Sequence, residues 1–137
     1  MSTTVCQGKC PRDHRMVSCA VSGGTLEAFI RRSLKEAGGK LCLRLSPQYV
    51  DFPLPCSGGK GRGLSPKELQ QLYRGQTVHY SEAFKMEYFT YLEQGILHAV
   101  LFDSERSLRD KLQLARNLQV PMVYIPEPFL RKTLLNP

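Results

Sequence analysis

The stretch Ile96-Leu97-His98-Ala99-Val100-Leu101-Phe102 is an apolar run of strand length, and Asp103-Ser104-Glu105 ends it. Leu108, Leu112, Ala115 and Leu118 then recur at helical spacing, and Val120-Pro121-Met122-Val123-Tyr124-Ile125 is a second apolar run. Strand, helix, strand in this order predicts a buried parallel pair joined by one helix. The fold class expected is α/β: a single compact domain with a small mixed sheet that includes a C-terminal parallel βαβ unit.

Working back toward the N-terminus, Ser81 is read as the cap of a helix over Glu82 to Glu93, with Phe84, Tyr88, Tyr91 and Leu92 on one face. Ser65-Pro66-Lys67-Glu68 opens another helix: a Ser cap, Pro at the first position and Glu three residues after the cap. Leu41 to Leu45 and Tyr49 to Leu54 read as strands, and Ser46-Pro47-Gln48 between them predicts a hairpin. Thr25 caps a helix carrying Leu26, Phe29, Ile30 and Leu34, which Gly38-Gly39 ends. Arg15 to Val21 is read as a short strand. Residues 1 to 15 are expected to be an irregular N-terminal segment, and residues 16 to 137 a single α/β domain.

A chain of 137 residues with 42% hydrophobic and 23% charged residues is ordinary for a globular domain that folds without disulfides or metal. No apolar run approaches the roughly 18 residues of a membrane span, so no membrane partner is expected. The first residues lack the pattern of a secretory leader, and five cysteines, an odd number, fit reduced thiols in the cytoplasm. The net charge of +7 points to an anionic partner, nucleic acid first and an acidic protein second.

The chemistry-bearing residues fall into four groups. Gly58-Gly59-Lys60-Gly61-Arg62-Gly63 is a glycine loop with two cations. Gly59 and Gly61 let backbone approach a phosphate, and Lys60 and Arg62 supply charge; Arg31, Arg32 and Lys35 extend the basic surface. The loop is not a Walker sequence, because Gly61 follows Lys60 where Ser or Thr is required. A plain surface loop explains the same residues.

Asp103 and Glu105 close an apolar strand that also bears His98. That placement suits a catalytic Mg²⁺ held against a phosphate, and equally a helix cap with an acidic first turn. Cys6, Cys10, His14 and Cys19 have the composition of a structural zinc site, with spacing C-x3-C-x3-H-x4-C. This resembles a retroviral-type zinc knuckle in ligand set, span and final H-x4-C, and departs from it at the first pair, where C-x2-C is the rule. Ala20-Val21-Ser22-Gly23-Gly24 resembles the start of a pyrophosphatase-type ATP loop, but Leu26 and Glu27 stand where that loop has Asp and Ser. No cofactor follows firmly from either pattern.

The reading at this level is a small basic nucleic-acid-binding protein. A metal-dependent nuclease or phosphotransferase using Asp103 and Glu105, and an adaptor for an acidic protein, are the alternatives.

Overall fold

Thr25 accepts a hydrogen bond from the Ala28 amide at 3.1 Å and starts α1 (Leu26–Ala37), as its place before an amphipathic run predicts. Ser65 and Glu68 form a reciprocal capping box at the start of α2 (Pro66–Tyr73), and Ser104 with Ser107 does the same for α3 (Glu105–Asn117). The computed structural model describes residues 3–6, 13–19, 24–55 and 61–126. Its strands are β1 (Thr4–Cys6), β2 (Arg15–Ser18), β3 (Leu41–Arg44), β4 (Tyr49–Pro53), β5 (Arg62–Gly63), β6 (His79–Ser81), β7 (Met86–Glu93), β8 (Ile96–Phe102) and β9 (Met122–Tyr124).

These strands form two sheets. One is four-stranded and wholly parallel, in the order β1-β9-β3-β2; the other is five-stranded and antiparallel, in the order β5-β4-β8-β7-β6. The chain is thus an α/β domain, as the apolar patterning indicated. The pairing differs from expectation. β8 bonds antiparallel to β4 and β7, and α3 carries the chain out of that sheet to β9 in the other. The parallel crossover inside one sheet is β2–α1–β3.

Three further expectations are corrected. Leu41 to Leu45 and Tyr49 to Leu54 do not make a hairpin; Ser46-Pro47-Gln48 hands the chain from one sheet to the other. Glu82 to Glu93 is not a helix but a turn and strand β7, which pairs antiparallel with β6 and β8 and buries Met86 and Phe89 on opposite faces. Phe89 packs under α2 with Val100 and Phe102, while Met86 packs on the opposite face with Phe52 and Leu101. Residues 1 to 15 are not uniformly irregular, since Thr4–Cys6 pair with β9.

Among the described residues, helices pack on one face of the parallel sheet. Val5, Val17, Leu41, Leu43, Leu45, Val123 and Ile125 pack with Leu26 and Ile30 of α1 and Leu112 and Ala115 of α3. The strands β2, β3 and β9 lie side by side in sequence order, and β9 is followed by β1. Winding in one direction, with the last strand beside the first, is the topology of a (β/α) barrel arc, whereas a doubly wound sheet reverses direction at its middle.

Candidate site at the C-terminal rim of the parallel sheet

Side chains alternate across a strand, so the residues between those packed on the helices face the other way. Register places them in two rows. Met16, Cys42, Met122 and Thr4 lie side by side, and one step further toward the C-terminal ends lie Ser18, Arg44, Tyr124 and Cys6. The first row is mostly apolar, with Cys42 fully buried. The second row is polar, and the Arg44 guanidinium carbon sits 5.7 Å from the Tyr124 ring centroid. In barrels the helix-free face is the interior, and its C-terminal rim is where ligands bind.

Between β3 and α3 the chain inserts the whole antiparallel sheet at this rim. Buried polar bonds fix the insertion. Asp103 Oδ1 accepts from Lys111 Nζ at 2.8 Å and Ser107 Oγ at 2.7 Å, and Oδ2 accepts from the Gln48 amide at 3.0 Å. The Gln48 side chain donates to the Cys19 carbonyl. Burial pushes the Cys19 thiol up to about 11. On the far side, Tyr80 OH donates to Asp110 at 2.5 Å, and Arg106 lies over the Tyr80 ring at 3.8 Å.

Asp103 is therefore a buried structural anchor, with its oxygens occupied by a cation and two donors, and it is not open to hold Mg²⁺ against a phosphate. Glu105 stands in the first turn of α3, where a negative charge favours the helix dipole. Among the described residues no group of three or more His, Cys, Asp or Glu is placed to hold a metal.

The zinc ligands do not converge. Cys19 belongs to the core beneath the helices, whereas Cys6 faces the opposite side of the sheet. The two lie at opposite edges of the sheet, three strand spacings or roughly 14 Å apart. His14 contacts Asp13 at 3.1 Å, and Cys10 lies outside the described residues.

His98 joins a second cluster, one that sequence spacing did not show. Asp51 is buried on β4. Its carboxylate accepts from Tyr91 OH at 2.6 Å and from His98 Nδ1 at 2.9 Å, and Arg62 lies 3.7 Å away. A carboxylate only accepts, so this contact puts a proton on Nδ1. The His98 and Tyr91 rings stack at 4.8 Å. Burial, then the bond to Asp51, raise the Tyr91 phenol above its ordinary range.

The glycine-loop residues are placed differently from expectation. Arg62 binds Glu68 at 2.8 Å, and that contact holds the Glu68 carboxyl below its usual range. Gly61 runs against β4: a Cβ there would meet Val50 Cγ1 and the Phe52 ring. Gly59 and Lys60 lie outside the described residues. Arg31, paired with Glu27 at 3.2 Å, stands with Arg32 and Lys35 on exposed positions of α1, in a different layer from Arg62.

No family model and no curated protein matches the chain. Solved structures do. A Chromobacterium violaceum chitinase matches at 16% identity and TM-score 0.60, over 88% of this chain and 44% of the other. The Bacillus cereus spore cortex-lytic enzyme SleL matches at 16% identity and TM-score 0.60, over 82% of this chain and 30% of the other. A glycoside hydrolase family 18 N-acetylglucosaminidase from Paenibacillus barengoltzii matches at 13% identity and TM-score 0.54, over 88% and 41%. The chain spans less than half the length of each. What is shared at this identity is the fold, that of glycosidase-type α/β proteins.

This fold overturns the functional reading made from charge. Nucleic acid, the nuclease or phosphotransferase alternative and the acidic-protein adaptor were inferred from a net charge of +7 and short motifs, and net charge specifies no fold. The matched structures that share the fold are a chitinase, a spore cortex-lytic enzyme and an N-acetylglucosaminidase, none of them described as a nucleic-acid-binding protein. Of the residues enlisted for phosphate or Mg²⁺, Arg62 is bound to Glu68, Gly61 packs on β4 and Asp103 is bound to Lys111.

Proposed function

We propose that this chain recognises a carbohydrate containing N-acetylglucosamine at the rim formed by Ser18, Arg44, Tyr124 and Cys6. The observation that carries the reading is the Arg44–Tyr124 pair on the helix-free face, at the C-terminal ends of parallel strands. A tyrosine ring offers a flat apolar face for the C–H face of a pyranose, and its hydroxyl offers a polar edge. A guanidinium offers several donors in a fixed plane for hydroxyl or acetamido oxygens. The matched structures, a chitinase and an N-acetylglucosaminidase among them, support this ligand class.

The proposed activity is binding. Acid-catalysed glycoside hydrolysis needs a carboxyl group at the scissile bond. Among the described residues, neither row of this face carries one. Asp103 and Asp51 are buried in bonds of their own.

Sedimentation with insoluble chitin, with cellulose as the control polymer, tests the reading. Retention on chitin that Arg44→Ala and Tyr124→Ala abolish is expected. Equal behaviour on both polymers overturns it.

A further inference from the structure

We propose that Gln48 is a positioning residue for the rim: its side-chain amide adds a rung between β2 and β3 beyond their last paired residues, and so sets where Ser18 and Arg44 stand. The inference rests on the carbohydrate reading above and adds the residue that ties that site to the antiparallel sheet.

The last paired residues of β2 and β3 are Ser18 and Arg44, both in the rim row. One step beyond, the Cys19 N–H bonds to the Arg44 carbonyl at 3.0 Å. In a continuing parallel ladder the Cys19 carbonyl would next accept from the amide of residue 46. The ladder does not continue, because Ser46-Pro47-Gln48 carries the chain to the other sheet. Cys19 is 3% exposed, and a buried carbonyl without a donor is costly. The Gln48 side-chain N–H donates to it and stands in for the missing strand amide.

Gln48 is itself held at both ends of its backbone. Its N–H donates to Asp103 Oδ2 at 3.0 Å, and its carbonyl accepts from the Asp103 N–H at 2.9 Å. Asp103 is fixed in turn by Lys111 and Ser107 of α3. A chain of bonds thus runs from α3 through Asp103 and Gln48 to Cys19, and from the Cys19 N–H to Arg44. On the other side of β3, the Leu45 N–H bonds to the Tyr124 carbonyl at 2.9 Å. The same end of the sheet carries the Arg44–Tyr124 pair.

Groups that are already in place bind without the cost of ordering them. Gln48 holds the ends of β2 and β3 before a ligand arrives. Its loss should therefore be felt in the affinity of the folded protein, and not only in stability. Arg44 is the residue through which it acts, because the Arg44 carbonyl takes the amide of the residue that Gln48 holds.

Isothermal titration of a soluble N-acetylglucosamine hexamer into the unaltered chain and into Gln48→Met tests the inference. Methionine is unbranched like glutamine, of similar length, and has no N–H to give. An affinity about tenfold lower is expected, with far-UV circular dichroism retained. In an Arg44→Lys background the same substitution should cost about twofold or less, because the residue that Gln48 positions has already been changed. A bond with a structural role alone would cost the same in both backgrounds. An affinity unchanged by Gln48→Met, or an equal loss in both backgrounds, overturns the inference and leaves the sugar reading standing. No binding by the unaltered chain overturns both. Should Gln48→Met fail to fold, amide hydrogen exchange of the unaltered chain reads the same bonds. Saturating sugar should slow exchange at Cys19 and Leu45, and unchanged exchange at both overturns the inference.

Discussion

Lys111 Nζ lies 2.8 Å from Asp103 Oδ1, with both side chains buried, and this ion pair ties α3 to the point where the chain leaves the antiparallel sheet. Removing one partner of a buried pair strands the other charge, at a cost of about 3–5 kcal/mol. Lys111→Met is therefore expected to lower the unfolding free energy by that amount in urea titrations. The double variant Asp103→Leu with Lys111→Met should recover part of the loss, because two apolar groups strand no charge. A Lys111→Met loss below about 1 kcal/mol would contradict the role given to the pair.

Asp51 is predicted to matter more than its partner Tyr91. Asp51→Ala leaves Tyr91 OH and His98 Nδ1 without their acceptor and creates a void, at an expected cost of about 2–4 kcal/mol. Tyr91→Phe removes one hydrogen bond and should cost about 1 kcal/mol. Chemical denaturation of the two variants side by side checks the order. A larger loss for Tyr91→Phe would mean that Asp51 is not the centre of the cluster.

Gly61 tests whether the glycine loop is built for a ligand or for packing. A Cβ at this position would lie 2.7 Å from Phe52 Cε1, and closer still to Val50 Cγ1. Gly61→Ala is expected to destabilise by about 1–3 kcal/mol, as overpacking does. A melting temperature unchanged from the parent would show that the loop does not need glycine against β4.

Much of the fold was legible in the sequence, and the failures have physical causes. Thr25 and Ser65 announced their helices because capping is local chemistry that one side chain completes. The segment 82–93 misled because Tyr88, Leu92, Phe84 and Tyr91 match helical spacing. β7 buries Met86 on one face and Phe89 on the other while Leu92 is 71% exposed, which erases the alternation that marks a half-buried strand. Gln94-Gly95 was the missed sign: both residues have positive φ, 51° and 77°, forming the two-residue turn that joins β7 to β8. The rim row was invisible to motif reading, because Ser18, Arg44, Tyr124 and Cys6 are far apart in sequence and meet only through register.

Alkaline pH should destabilise the protein in a definite window. Burial raises the Cys19 thiol from 9.0 to about 11, and burial with hydrogen bonds to Asp51 and Asp110 raises the Tyr91 and Tyr80 phenols. The native state holds these protons more tightly than the unfolded chain. Their contribution is therefore complete below pH 9.0 and declines as pH rises toward 11 and beyond. Thermal melts should show a falling midpoint from about pH 9, and Cys19 should resist alkylation at pH 8 until the chain unfolds. A midpoint constant through pH 11 would contradict the burial of these groups.

The central claim is that the helix-free rim recognises a sugar, and isothermal titration with a soluble N-acetylglucosamine hexamer tests it most directly. The account predicts saturable binding by the unaltered chain, weakened about tenfold or more by Tyr124→Ala, which corresponds to at least 1.4 kcal/mol. Arg62→Ala, on the other sheet, should leave it unchanged. No heat from the unaltered chain at millimolar sugar, or equal binding by Tyr124→Ala, would contradict it.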